Sequence, residues 1–475
     1  MEKNEIHIPF AAAIIPLLVM MITMAFTIIK FEGSPHVPLI VGAVVSAFIA
    51  WRYGYKWKEI EDGFYKGITL ALPAIVIVII VGLIIGSWIG GGIIATMIYY
   101  GLKFLSPSMF LLSICVICAI VSLAIGSSWS TMGTIGVAGM GIGISMGIPA
   151  PMIAGAIISG AYFGDKMSPL SDTTNLASGI TNTDLFEHIK HMFYTTIPAL
   201  VIALVVYWIL GRNYSGSELN NEKILEVMNV LNENFFITPW LLVVPVLIIV
   251  LVALKVPALP SLIVGVLLGW LCQVFVQGGS VADAVNTLQG GFSIETGNEL
   301  VDGLLNRGGI DDMMYTVSLT IVAMTFGGVM ERTGMLRSIV AQISKLAKTA
   351  RSLVATTVVS SFLTNITAAE QYISILLPGR MYAQAFKEKG LQSKNLSRAL
   401  EDGGTVTSAL VPWNTCGVFI LSTLAVHPFE YAPYAILNFT VPILSIIFAF
   451  LGIKIAYIRE DEKIEHEIAE TRVSS

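Results

Sequence analysis

The sequence predicts an all-α polytopic membrane protein of about 10–14 membrane segments, in two inverted repeats with broken helices and re-entrant hairpins. Three observations lead there. The 475 residues are 55% hydrophobic and only 12% charged, whereas soluble domains carry about 25% charged residues. Long apolar runs are interrupted by short stretches of glycine, hydroxyl, amide and carboxylate residues. Two halves of the chain also match in order, with the charge of equivalent loops reversed.

A membrane helix needs about 20 mostly apolar residues. Residues 9–29 meet that length without a small-residue cleavage site, so they read as a retained first span rather than a signal peptide. Residues 37–51 follow. Residues 52–66 mix Trp57, Ile60 and Phe64 with Lys56, Lys58, Glu59, Glu61 and Asp62, which suggests a short amphipathic helix at the interface. Residues 68–104 are too long for one span and should break at Gly86-Ser87-Trp88-Ile89-Gly90-Gly91-Gly92. Residues 109–125 lead into a polar stretch, and 192–210 form the next span.

The first repeat thus occupies 1–210, and a hydrophilic extracytoplasmic linker 211–236 precedes the second repeat, 237–457. Its spans read as 237–254, 259–275, 313–330, 333–346, 353–363, 372–386, 405–426 and 434–457. Residues 387–398 read as a basic loop and 458–475 as a charged cytoplasmic tail. Cys115 and Cys118 form a C-x-x-C in mid-span without a second pair, which points to packing rather than metal or redox chemistry. No basic tract suggests nucleic acid.

The repeat rests on two pairings: Pro38-Leu39-Ile40-Val41-Gly42 with Pro260-Ser261-Leu262-Ile263-Val264-Gly265, and the break ending at Gly92 with the one ending at Gly334. Cytoplasmic loops are enriched in Lys and Arg. Residues 52–66 hold Arg52, Lys56, Lys58 and Lys66, while their counterpart 277–291 holds none. One element later 101–107 holds only Lys103, while 337–351 holds Arg337, Lys345, Lys348 and Arg351. The copies should therefore be inverted, with both termini inside.

Each half carries a hydroxyl-and-amide break and then a carboxylate break. The first has Gly126-Ser127-Ser128-Trp129-Ser130-Thr131 and, later, Gly164-Asp165-Lys166-Met167-Ser168-Pro169-Leu170-Ser171-Asp172-Thr173-Thr174-Asn175. The second has Thr364-Asn365-Ile366-Thr367-Ala368-Ala369-Glu370-Gln371, then Glu401-Asp402-Gly403-Gly404-Thr405 with Pro412-Trp413-Asn414-Thr415. Polar groups in a bilayer core cost free energy unless they line a cavity or bind something. Oxygen donors with a carboxylate suit a hard cation, and the imidazole or thiolate ligands of transition metals are missing from these breaks. The blander reading is that Ser and Thr bond only to neighbouring helices, and that Asp165 merely pairs with Lys166. Asp172 is harder to dismiss, since it heads a hydroxyl-amide cluster. Glu370 and Asp402 lack an adjacent cation in the sequence. No histidine lies in a break, which argues against a histidine relay.

The Gly126–Thr131 and Gly164–Asn175 motifs resemble the NhaC-type sodium/proton antiporter family. The resemblance continues through Leu396-Ser397-Arg398, Glu401–Thr405 and Pro412-Trp413-Asn414-Thr415-Cys416-Gly417, and covers nearly the whole chain. It implies a bacterial inner-membrane exchanger of Na⁺ and H⁺ with a midplane site, no cofactor, no enzymatic activity, and a homodimeric assembly. The same family holds exchangers that couple Na⁺ and H⁺ to small carboxylates such as malate and lactate. On this reading Ser127, Ser128, Thr131, Asp172, Thr173 and Asn175 form one cation- or substrate-binding shell. Asn365, Thr367, Gln371, Glu401, Asp402, Thr405 and Asn414 form its partner. Na⁺ would lie among Ser127, Asp172, Asn175, Asn365 and Thr367. Asp172, Asp165, Glu370 and Asp402 are the candidates for proton coupling, with Asp172 the leading one.

Overall fold

Small residues let two long helices touch backbone to backbone. Helix Trp57–Gly90 lies along helix Gly309–Arg332. A Cβ on Gly67 would strike the Met324 carbonyl and come within 3.0 Å of the Gly328 Cα. Glycine at such a seam gains close helix packing where lipid supplies no hydrophobic drive for association. The computed structural model describes residues 6–31, 33–214, 218–254 and 256–458; the charged tail expected at 458–475 lies, past Ile458, outside the described residues.

Among these residues the regular structure is helical, with a lone β-bridge between Leu391 and Tyr457. Five helices are long and apolar enough to cross a membrane, and up to eight if three bent pairs each count as one span. Shorter apolar helices are His36–Arg52, Ile93–Phe104 and Leu259–Phe275. The protein is a multi-pass membrane protein.

The helix breaks repeat between the halves. Trp57–Gly90 ends at left-handed Gly92 (φ 71°), and Gly309–Arg332 ends at left-handed Gly334 (φ 73°), 242 residues on. Helix Pro107–Ile125 ends at left-handed Gly126 (φ 75°), and helix Ala350–Ala368 at left-handed Ala369 (φ 58°), 243 residues on. Pro169 and Pro412, also 243 apart, lie just before the helices Asp172–Ile180 and Thr415–Leu424. Of these four left-handed break residues, Ala369 alone carries a Cβ and so takes the strained conformation that glycine adopts readily.

Several boundaries differ from the sequence expectation. The amphipathic stretch 52–66 is no separate helix: a turn ends at Lys56, and Trp57 begins the 34-residue helix itself. Its apolar side packs on Gly309–Arg332, so burial there outweighs interfacial placement. The linker is largely helix Glu218–Asn234, which buries Val227 and Leu231. The supposed basic loop 387–398 contains helix Ser393–Leu400, in which Arg398 is fully buried. The supposed span 405–426 is broken: Ser393–Leu410 and Thr415–Leu424 meet at 45°.

Candidate ion-binding site

Each break leaves backbone N–H groups at a new helix start, and the side chain before that start satisfies them. Ser127 caps one by accepting from the Ser130 N–H at 3.2 Å. Glu370 occupies the matching place in the second half, accepting from the N–H groups of Tyr372 at 2.5 Å and Ile373 at 3.2 Å. Asn414 accepts from the Cys416 N–H at 3.0 Å. Glu370 is thus a helix cap, a role its sequence position did not reveal.

The breaks of each half cross one another. In the first, Gly126 packs against Leu170 so closely that a Cβ would lie 2.7 Å from the Leu170 backbone. In the second, the Thr415 N–H donates to the Ala369 carbonyl at 3.0 Å. The halves then meet face to face where the Trp129 and Phe419 rings stack, centroids 4.2 Å apart and 9° from parallel.

Asp165 lies at the first crossing and is buried. Its Oδ2 accepts from the Ser128 hydroxyl at 2.6 Å and the Ser128 N–H at 3.2 Å, and its Oδ1 from the Ser171 hydroxyl at 2.6 Å. The Thr173 hydroxyl is 3.1 Å from that of Ser171. One carboxylate and three hydroxyls are therefore gathered in one pocket of oxygen. A hydroxyl that donates to Asp165 keeps lone pairs for a cation.

Asp165 does not pair with Lys166, contrary to the sequence expectation. Consecutive residues on a helix point about 100° apart, and the Lys166 ammonium instead reaches Asp402 Oδ1 at 2.5 Å, with both side chains fully buried. Asp402 also accepts from the Thr195 hydroxyl at 3.1 Å, and the Arg398 guanidinium lies 3.9 Å from its Oδ2. So Asp402 has two cations beside it, one from a helix 236 positions away in the chain. Histidines also surround this cluster, although none lies in a break. The two ring nitrogens of buried His188 have no hydrogen-bond partner among the described residues, and His191 lies 3.4 Å from Arg398.

The remaining predicted residues are divided among different tasks. Asp172 is exposed, with the Tyr372 hydroxyl 3.4 Å from its Oδ2. Asn175 is exposed too, and its amide donates to the Pro169 and Ser171 carbonyls. Asn365 donates to the Gly404 carbonyl at 2.6 Å and the Thr407 hydroxyl at 3.0 Å, and accepts from Asn414 at 3.1 Å. Gln371 donates to the Thr405 carbonyl at 3.1 Å, and the Thr131 and Thr367 hydroxyls bond carbonyls of their own chain segments. Ser127, Asp172 and Asn175 thus stand in the first half's crossing, and Asn365 with Asn414 ties together the second. Lys166, Ser171, Thr195 and Arg398 belong to the polar interior but were not on the sequence list. Lys166 and Ser171 stood within a quoted motif; Thr195 lies in a plain apolar run and gave no signal.

Comparison with known proteins agrees with this architecture. A profile of the Na⁺/H⁺ antiporter family matches residues 160–453. The chain is 39% identical over 454 residues to the Na⁺/H⁺ antiporter NhaC of Alkalihalophilus pseudofirmus, covering 95% of this chain and 97% of that one. It is 38% identical over 459 residues to the malate-2H⁺/Na⁺-lactate antiporter of Bacillus subtilis, covering 96% and 98%. With the profile spanning residues 160–453 and the relatives covering nearly the whole chain, the chain belongs to the Na⁺/H⁺ antiporter family.

Proposed function

We propose that the protein is a secondary antiporter of a bacterial cytoplasmic membrane, exchanging Na⁺ for H⁺. The observation that carries this reading is Asp165, a buried carboxylate ringed by the Ser128 and Ser171 hydroxyls where two helix breaks cross. Na⁺ is a hard cation that such oxygens suit, and the hydroxyls can turn their lone pairs toward it. Asp172 and the Tyr372 hydroxyl form the exposed approach to it. The cation brings the positive charge that an ionised carboxylate lacks in a medium of low dielectric. Imposed ΔpH should drive radioactive sodium into proteoliposomes of purified protein; no ΔpH-driven uptake would remove the reading.

A second reading is exchange of a small carboxylate together with Na⁺ and H⁺, favoured by the relative named for malate and lactate. The two readings part in carboxylate-free buffer. We expect ΔpH-driven Na⁺ movement to persist there; a strict requirement for malate or lactate would establish the second reading instead.

The halves are inverted in this proposal, with both termini cytoplasmic, because equivalent loops carry opposite charge bias. A cysteine at exposed Glu233 should react with an impermeant thiol reagent from outside, and one at exposed Lys389 only from inside. Labelling of both from the same side would refute the inversion.

A further inference from the structure

Glu401 opens the π-helical turn Glu401–Thr405 and is fully buried. Among the described residues, neither of its carboxylate oxygens has a hydrogen-bond partner. The Thr405 hydroxyl, one turn on, faces it without closing a bond. The contrast with the other buried carboxylates is direct: Asp165 has three donors, Glu370 caps a helix, and Asp402 is held by Lys166 and Thr195. A buried carboxylate without donors is far less costly as the neutral acid.

The charges around it can be counted from each packed element. Helix Ala150–Met167 presents Asp165 and Lys166, and helix Ser393–Leu400 presents Arg398. Asp402 follows Glu401 on its own turn. Helix Leu185–Arg212 contributes His188 and His191 beside Lys166 and Arg398. Asp172 of helix Asp172–Ile180 is exposed and turned to Tyr372. Arg351 on helix Ala350–Ala368, and Arg380, Lys387 and Glu388 on helix Gln371–Glu388, are exposed; helix Ile436–Leu451 has no charged residue. With neutral histidines, the Lys166 and Arg398 cations balance the Asp402 and Asp165 carboxylates. Glu401 then completes a neutral cluster only while it keeps its proton. A sodium ion at Asp165 adds one positive charge, and ionisation of Glu401 removes it.

We propose that Glu401 carries the exchanged proton, so that Na⁺ and H⁺ use different carboxylates, Asp165 and Glu401, linked through the charge of the buried Lys166–Asp402–Arg398 cluster. This rests on the Na⁺/H⁺ reading. On Na⁺ entry the Glu401 O–H bond breaks, the electron pair stays on the carboxylate, and the proton passes to water. On Na⁺ exit the carboxylate takes a proton back. Sodium and proton affinities are then reciprocally coupled.

The test is proton release when NaCl is added to weakly buffered, purified protein, with choline chloride as control. The wild type should release about one proton per Na⁺ bound. Glu401→Gln, isosteric with the acid, should bind Na⁺ more weakly and release none. In proteoliposomes it should still exchange radioactive sodium for unlabelled Na⁺ at high concentration, but lose ΔpH-driven uptake. Release from Glu401→Gln equal to wild type would overturn the proposal and leave competition at Asp165. If Glu401→Gln fails to fold, infrared difference spectra of the wild type and Glu401→Asp decide: a protonated-carboxyl band that Na⁺ abolishes should shift in Glu401→Asp, and an unmoved band overturns the assignment. A wild type without proton release and without ΔpH-driven flux would instead bring down the Na⁺/H⁺ reading itself.

Discussion

Asp165→Asn should abolish Na⁺-coupled exchange while leaving folded protein in the membrane. Asparagine keeps the volume; its amide oxygen can accept from one of the two hydroxyls that hold Asp165, and its NH₂ can donate to the other once that hydroxyl turns. What disappears is the negative charge. A desolvated Na⁺ would then face only neutral oxygens, and a loss of about 3 kcal/mol, or about 100-fold in affinity, is expected. Asp172→Asn should be milder, since Asp172 is exposed and its charge acts through solvent; a raised KM for Na⁺ with kcat largely kept is the expected pattern. Na⁺-dependent transport by each variant, normalised to protein in the membrane, makes the comparison. Near-wild-type transport by Asp165→Asn would move the cation site to Asp172.

Asp402→Asn should be the most destabilising single change in the polar interior. Lys166 and Asp402 are fully buried and 2.5 Å apart, and Arg398 is fully buried beside them. Removing one partner of a buried pair leaves an uncompensated charge, typically at a cost of about 3–5 kcal/mol. The variant should reach the membrane in reduced amount and lose its fold at a lower temperature in detergent. Lys166→Met combined with Asp402→Asn should be less destabilised than the sum of the two single variants, because the double change removes both stranded charges of the pair. Additive losses would mean that the two residues do not depend on each other.

The break positions were legible because glycine and polar residues within apolar runs have few structural uses. Gly92, Gly126 and Gly334 all take the left-handed conformation that such breaks require. The pairing of Gly92 with Gly334 was legible for the same reason, since its mark is local and both residues turn left-handed. The register of the carboxylates was not. In the repeat of 243 residues, Asp172 aligns with Thr415, the two helix starts, and not with Glu401-Asp402. Asp402 instead falls opposite Ser159, whose hydroxyl lies 2.6 Å from that of Tyr207.

Fold class, membrane residence and family followed from the sequence alone, because hydropathy, helix-breaking residues and motif spacing are properties of contiguous residues. Which polar groups hold one another was decided only in three dimensions. Lys166 adjoins Asp165 in the chain, yet the helix turn sends the ammonium to Asp402 and leaves Asp165 to the Ser128 and Ser171 hydroxyls. Arg398 is buried within an apparent basic loop because a helix forms there, which sets it beside Asp402 one turn on and within reach of the Lys454 carbonyl, 56 residues away. Electrostatic partnership depends on distance and desolvation, and in a folded chain neither is set by separation along the sequence.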